Sequence, residues 1–277
     1  MQVEYHKWQS DALQREMELK VYGHAGKPFV VFPSQEGRFF EFEDFGMTEV
    51  CRPSIEAGLL QLFTVDSIDA ETWTHPTRAV PDRIARHEAY EKYVIQEVVP
   101  FIHKQNPRKD TFIGTMGCSM GAYHASNFFF RHPETFDALL SMSGIYQMQL
   151  FLGEYMDDKL YYHTPLNYLR HLEDEAQLAH FRKSQIILSV GQGEWEHPML
   201  EETLAMKAIF EAKNIPAWVD VWGKDVAHDW PWWRKKMAYF FLRKNTCFVT
   251  KKKAYFFPNG KHLVFIQKTL RIFSNNR

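Results

Sequence analysis

Apolar and polar residues alternate along Val3–Gln9 and again along Arg15–Tyr22, with Ser10-Asp11 between them. A period of two marks strands with one buried face, so an antiparallel pair at a sheet edge is expected. After a turn at residues 23–28 the pattern changes: Phe29-Val30-Val31-Phe32 is apolar throughout, as in a central strand covered on both faces. Phe40 to Leu60 holds helical patches interrupted by Gly46, Pro53 and Gly58, and Leu60–Asp66 reads as a strand. A polar loop from Ser67 to Pro81 carries Trp73 and His75.

Asp82–Lys104 has the helical period, with Ile84, Tyr90, Tyr93, Val94, Val98 and Ile102 inward and His87 and His103 expected to be partly exposed. Thr111–Met116 predicts a short buried strand, and Ala122–His132 a helix stopped by Pro133. Further strands are expected at Phe136–Gly144, Ser184–Gly191 and Ile215–Trp222, with helices at Pro198–Lys213 and Trp230–Leu242. Strands alternating with helices predict an α/β architecture, a mostly parallel central sheet flanked by helices. Tyr146–Lys183 breaks the rhythm and is rich in aromatics. It is an insertion that either forms an acyl or leaving-group pocket or packs its own aromatics at the periphery.

Between the Thr111 strand and its helix lies Gly117-Cys118-Ser119-Met120-Gly121, which fits G-x-S-x-G. The setting of strand, tight turn and helix is that of a nucleophile elbow. A serine hydroxyl attacks only when a base takes its proton and donors stabilise the oxyanion. The turn lifts the side chain off the sheet, and a helix starting near Met120 aims backbone N–H groups at the site. The loop Pro33–Arg38 stands where an α/β-hydrolase supplies a second oxyanion donor, here the amides around Ser34 and Gln35.

In this fold the chain order is nucleophile, acid, histidine. Of 13 histidines, His228 has both the order and the place, in a loop after a late strand and before a helix. It would act as general base. The acid should follow the strand ending at Gly191, where Glu194 and Glu196 both qualify; Glu196 is preferred because it leaves room for the chain to turn back. Asp225 and Asp229 are read as shaping the histidine loop.

Composition adds limits. With 45% apolar residues and 16% aromatics, a chain of 277 residues can bury a large core. Three widely spaced cysteines give neither a disulfide framework nor a metal pattern, so no metal or cofactor is expected. The N-terminal residues show no signal-peptide pattern and no run is long enough to span a membrane, so a cytoplasmic enzyme is expected. No Asp or Glu follows Asp229, while that tail holds 12 of the 33 basic residues. Residues 1–229 thus carry 21 basic against 34 acidic side chains, or −13, and the tail +12.

The elbow, Gly193-Glu194-Trp195-Glu196 and His228-Asp229-Trp230-Pro231-Trp232-Trp233 together resemble the putative-esterase family of α/β-hydrolases, over roughly residues 3–243. That family includes esterase D (S-formylglutathione hydrolase), feruloyl esterases and mycolyltransferases. The resemblance implies Ser119 as nucleophile, His228 as base, Glu196 as acid and the Met120 amide in the oxyanion hole. Two departures stand out. Pro33-Ser34-Gln35-Glu36-Gly37 lacks the Ser-Gly-Leu character of esterase D, and the basic segment from Asn245 to Arg277 has no family counterpart.

A catalytic domain over 1–243 and a basic extension over 244–277 are therefore expected. The extension could form a hairpin at Asn259-Gly260, could be disordered, or could bind the acidic domain, a second subunit or an anionic surface. The expected activity is cleavage of a small-molecule carboxylic ester, with Trp73, Tyr146 and Tyr155 holding an apolar group and Tyr162 nearby. Acyl transfer to an alcohol is the rival enzymatic reading, and a non-catalytic binding protein the rival of another class. No nucleic-acid role follows; a homo-oligomer is compatible with the sequence.

Overall fold

The computed structural model describes residues 1–108 and 112–242, so the basic extension and its expected hairpin at Asn259-Gly260 lie outside the described residues. Eight strands form one sheet: β1 (Val3–Ser10), β2 (Arg15–Tyr22), β3 (Lys27–Phe32), β4 (Leu60–Val65), β5 (Ile113–Cys118), β6 (Phe136–Met142), β7 (Gln185–Val190) and β8 (Ala217–Val221). Their order is β1-β2-β4-β3-β5-β6-β7-β8. The β1–β2 and β2–β4 pairings are antiparallel and the rest parallel, so the expected edge hairpin joins a parallel sheet.

The period of two explains the layers. On β3, Val30 and Phe32 enter one apolar core while Phe29 and Val31 enter the other. The first core is closed by the helices Val80–Tyr93, Met120–Arg131 and His197–Ala212. The second is closed by Met47–Glu56 and Trp230–Leu242, the latter through Trp233, Met237, Phe240 and Phe241. Strands covered on both sides bury side chains on both faces and are mostly apolar, which is why the inner strands show continuous rather than alternating patterns.

Two expectations are corrected. The long helix is interrupted: Val80–Tyr93 passes through a π-helical turn, Val94–Val98, into Val99–Gln105. Val99 donates to the Val94 carbonyl, and Pro100, lacking an N–H, cannot continue the ordinary ladder. His87 is buried rather than partly exposed, at 1% exposure. It lies three residues from both Ile84 and Tyr90, on the inward stripe of the helix. The insertion over 146–183 holds four short helices: Gln149–Leu152, Asp158–Tyr161, Pro165–Tyr168 and Glu175–Phe181. Among the described residues no helix is long and apolar enough to cross a membrane.

Candidate active site

Parallel strands bring their carboxyl ends to one edge, and the register shows which ends are neighbours. Phe32 pairs with Gly117, Cys118 with Met142, and Met142 with Ser189. The residues that follow these strands therefore share a small region. Ser119 stands between β5 and the helix Met120–Arg131 with φ 56° and ψ −121°, a conformation L-residues rarely adopt. The surroundings impose it. A Cβ on Gly117 would collide with the Gly121 backbone, and one on Gly121 with the carbonyls of Phe32 and Pro33. Only glycine lets the helix seat this closely on the sheet.

The structure brings Ser119, His228 and Glu196 together. His228 Nε2 lies 2.9 Å from Ser119 Oγ, and its Nδ1 3.4 Å from Glu196 Oε2. The His228 ring is held edge-on against Trp233 at 5.0 Å, and its backbone N–H donates to the Glu194 carbonyl at 2.9 Å. Glu194 itself is exposed and its carboxylate accepts from Trp195 Nε1, whereas Glu196 is completely buried. Of the two candidate acids, only Glu196 meets the histidine ring.

Three donors converge on the other Glu196 oxygen: Ser143 Oγ at 2.6 Å, the Gly191 N–H at 3.1 Å and Lys236 Nζ at 3.4 Å. Burial pushes the Glu196 carboxyl up, but the His228 hydrogen bond, the Lys236 charge and Ser143 together hold it below the ordinary value. Beside Ser119, Cys118 is buried and its thiol is raised well above the usual range by that burial. It stays protonated and is a poor nucleophile.

The loop after β3 is fastened by carboxylates. Glu41 accepts from both the Ser34 N–H at 2.7 Å and the Ser34 hydroxyl at 2.6 Å. Asp69 accepts from the Glu36 N–H at 3.1 Å and bonds His124 Nε2 at 2.8 Å. The Gly37 N–H returns to the Ser34 carbonyl. The Gln35 N–H is left without an acceptor among the described residues. The Met120 N–H likewise opens a helix with no preceding turn to accept it.

Trp73 and Met120 share an apolar cluster with Ile84, Tyr123, Ile145 and Met148, and Tyr155 packs against it. Trp73 and Tyr146 are completely enclosed, so neither ring offers surface to a ligand. Tyr146 hydroxyl is tied to Ser141 Oγ at 2.8 Å. Tyr155 is half-buried and donates to Asp157, while Tyr162 is 58% exposed. No group of three or more potential metal ligands occurs among the described residues.

Sequence reasoning missed Ser143, Lys236, Glu41 and Asp69. Lys236 had a signal: it falls three residues after Trp233 and four before Phe240, on the apolar stripe of its helix. Ser143, one residue past a parallel strand, also sits where ligands and catalytic groups gather.

Residues 10–243 match the sequence model of the family described as Putative esterase. No curated protein matches the chain. Among solved structures, a ferulic acid esterase superposes with TM-score 0.68 at 15% identity, covering 86% of this chain and 95% of the other. An S-formylglutathione hydrolase from Agrobacterium tumefaciens gives 0.66 at 16%, with coverage of 86% and 92%. MPT51 of Mycobacterium tuberculosis gives 0.60 at 12%, with coverage of 87% and 96%. The shared architecture is the α/β-hydrolase fold.

Proposed function

The chain belongs to the Putative esterase family, and on that basis we propose that it hydrolyses carboxylic esters through an acyl-enzyme formed on Ser119. The observation that carries this reading is the 2.9 Å contact between Ser119 Oγ and His228 Nε2 at the strand ends. His228 Nε2 takes the Ser119 proton as Oγ attacks the ester carbonyl. Its Nδ1–H points to Glu196, which fixes the tautomer and stabilises the imidazolium. The resting 3.4 Å separation is long for that bond, and such contacts tighten as charge develops.

The amides of Met120 and Gln35 receive the oxyanion; of the loop amides from Ser34 to Gly37, that of Gln35 alone is uncommitted. Collapse of the tetrahedral intermediate expels the alcohol, which takes the proton from His228. Water then repeats the sequence and releases the acid. The apolar cluster of Trp73, Met120 and Tyr155 supports an apolar acyl or alcohol group in the substrate. Tyr155 supplies contact surface, while the enclosed Trp73 lies in the cluster it packs against.

Hydrolysis of p-nitrophenyl esters from acetate to octanoate tests this reading. Ser119→Ala and His228→Ala are each expected to lower kcat/KM by about 10⁴-fold or more, with the circular dichroism spectrum retained. Activity that survives Ser119→Ala would sink the mechanism.

A further inference from the structure

Lys236 is an unusual feature of the site. Its side chain and that of Glu196 are both at 0% exposure. A buried ammonium is costly unless it is paired and fully hydrogen-bonded. Here the pairing is with the carboxylate assigned to orient the catalytic histidine. Lys236 Nζ lies 3.1 Å from Ser143 Oγ and 3.4 Å from Glu196 Oε1. Ser143 is held at φ 53°, and its hydroxyl is saturated: it donates to Glu196 and accepts from Trp233 Nε1 and Lys236. Glu196 Oε1 thus faces the cation and two neutral donors, while Oε2 faces His228.

Resting on the Ser119–His228–Glu196 reading above, we propose that Lys236 is a positioning and charge-setting residue. It fixes Glu196 and offsets part of its negative charge, and so weakens the hold of that carboxylate on the imidazolium formed during the reaction. The physical argument is Coulombic. An isolated buried carboxylate favours the imidazolium strongly; a carboxylate neutralised from behind favours it less. Burial lowers the Lys236 ammonium and Glu196 raises it again, with Cys118 and Asp220 the other titratable groups acting on it. Around His228 the facing groups are Ser119 and Glu196, with the exposed Glu194 and Asp229 on the flanking loops.

The test is the pH dependence of Ser119 labelling by an alkyl fluorophosphonate, which reads serine activation without knowledge of the natural ester. In Lys236→Met and Lys236→Gln the midpoint of the acid limb is expected to rise by about 0.5–1 pH unit, so labelling at pH 6 falls roughly three- to tenfold. The loss at pH 8.5 should be clearly smaller. A loss uniform across pH, or an unchanged midpoint, overturns the proposal, because a purely structural lysine would give that result. Lys236→Gln separates charge from hydrogen bonding: a wild-type profile in that variant overturns the charge argument.

In the unsubstituted protein, ¹³Cε-lysine NMR is an independent check. The Lys236 resonance, assigned by its absence from Lys236→Gln, should remain that of an ammonium from pH 6 to 8, and loss of its proton in that window overturns the charge argument. Failure of the underlying mechanism is distinguishable, since the unsubstituted protein would then fail to label or Ser119→Ala would still label.

Discussion

The Glu202 carboxylate accepts the backbone N–H groups of Tyr146 and Gln147, so it pins the chain where it leaves β6 for the insertion. Burial raises its carboxyl to about 7, against the opposing pull of those two amides. A carboxyl raised in the folded state binds its proton more tightly there than in the unfolded chain. The stability it contributes is therefore complete below the unfolded value near 4.5 and is lost as pH rises towards 7. Glu202→Gln keeps an acceptor and removes the titration. It is expected to be more stable than the parent at pH 8 by about 1–2 kcal/mol, with the gap closing below pH 5. Urea unfolding at the two pH values measures this. A gap of equal size at both would place the effect in packing instead.

The elbow is a joint between a strand and a helix, and its closeness is set by Gly117 and Gly121. Gly121→Ala puts a methyl against the Phe32 and Pro33 carbonyls, so the helix must move off β3 or the chain must bend. Fluorophosphonate labelling is expected to fall at least 100-fold, with a destabilisation of about 2–4 kcal/mol. Retained labelling would mean that the joint tolerates a wider gap.

Much of the element order could be read from the chain, because strands covered on both faces and helices with one apolar stripe leave different periods. The closing helix, Trp230–Leu242, has the expected bounds. That Ser119, His228 and Glu196 would lie together follows from chain order and loop position, both visible in the sequence. What stayed hidden depends on burial and side-chain direction. His87 reads as polar until the helix is known to turn it inward, and the π-helical turn depends on how Pro100 disturbs one hydrogen bond. Lys236 and Ser143 matter through distances to Glu196 that no spacing encodes. The insertion lacked periodicity because its helices have only four to seven residues each.

Two apolar layers cover the faces of the sheet, and the loops at its carboxyl edge hold the proposed site. The family match ends at residue 243, where the proposed catalytic domain also ends. A chain truncated after Arg243 is expected to label at the parental rate and to unfold within about 3 °C of the full chain. It should bind an anion exchanger more strongly, since 25 basic against 34 acidic side chains leave it at −9. Loss of labelling would show that the domain needs the basic extension.

The strained backbone at Ser119 is imposed by two glycines and by neighbouring carbonyls, and owes nothing to the serine hydroxyl. Removing the hydroxyl is therefore expected to leave the turn in shape, with His228 and the two amides still in place. On the proposed mechanism Ser119→Ala then becomes a trap: a receptor expected to retain an intact ester it cannot turn over. Mass spectrometry of what it captures from a metabolite extract is a direct route to the natural ligand.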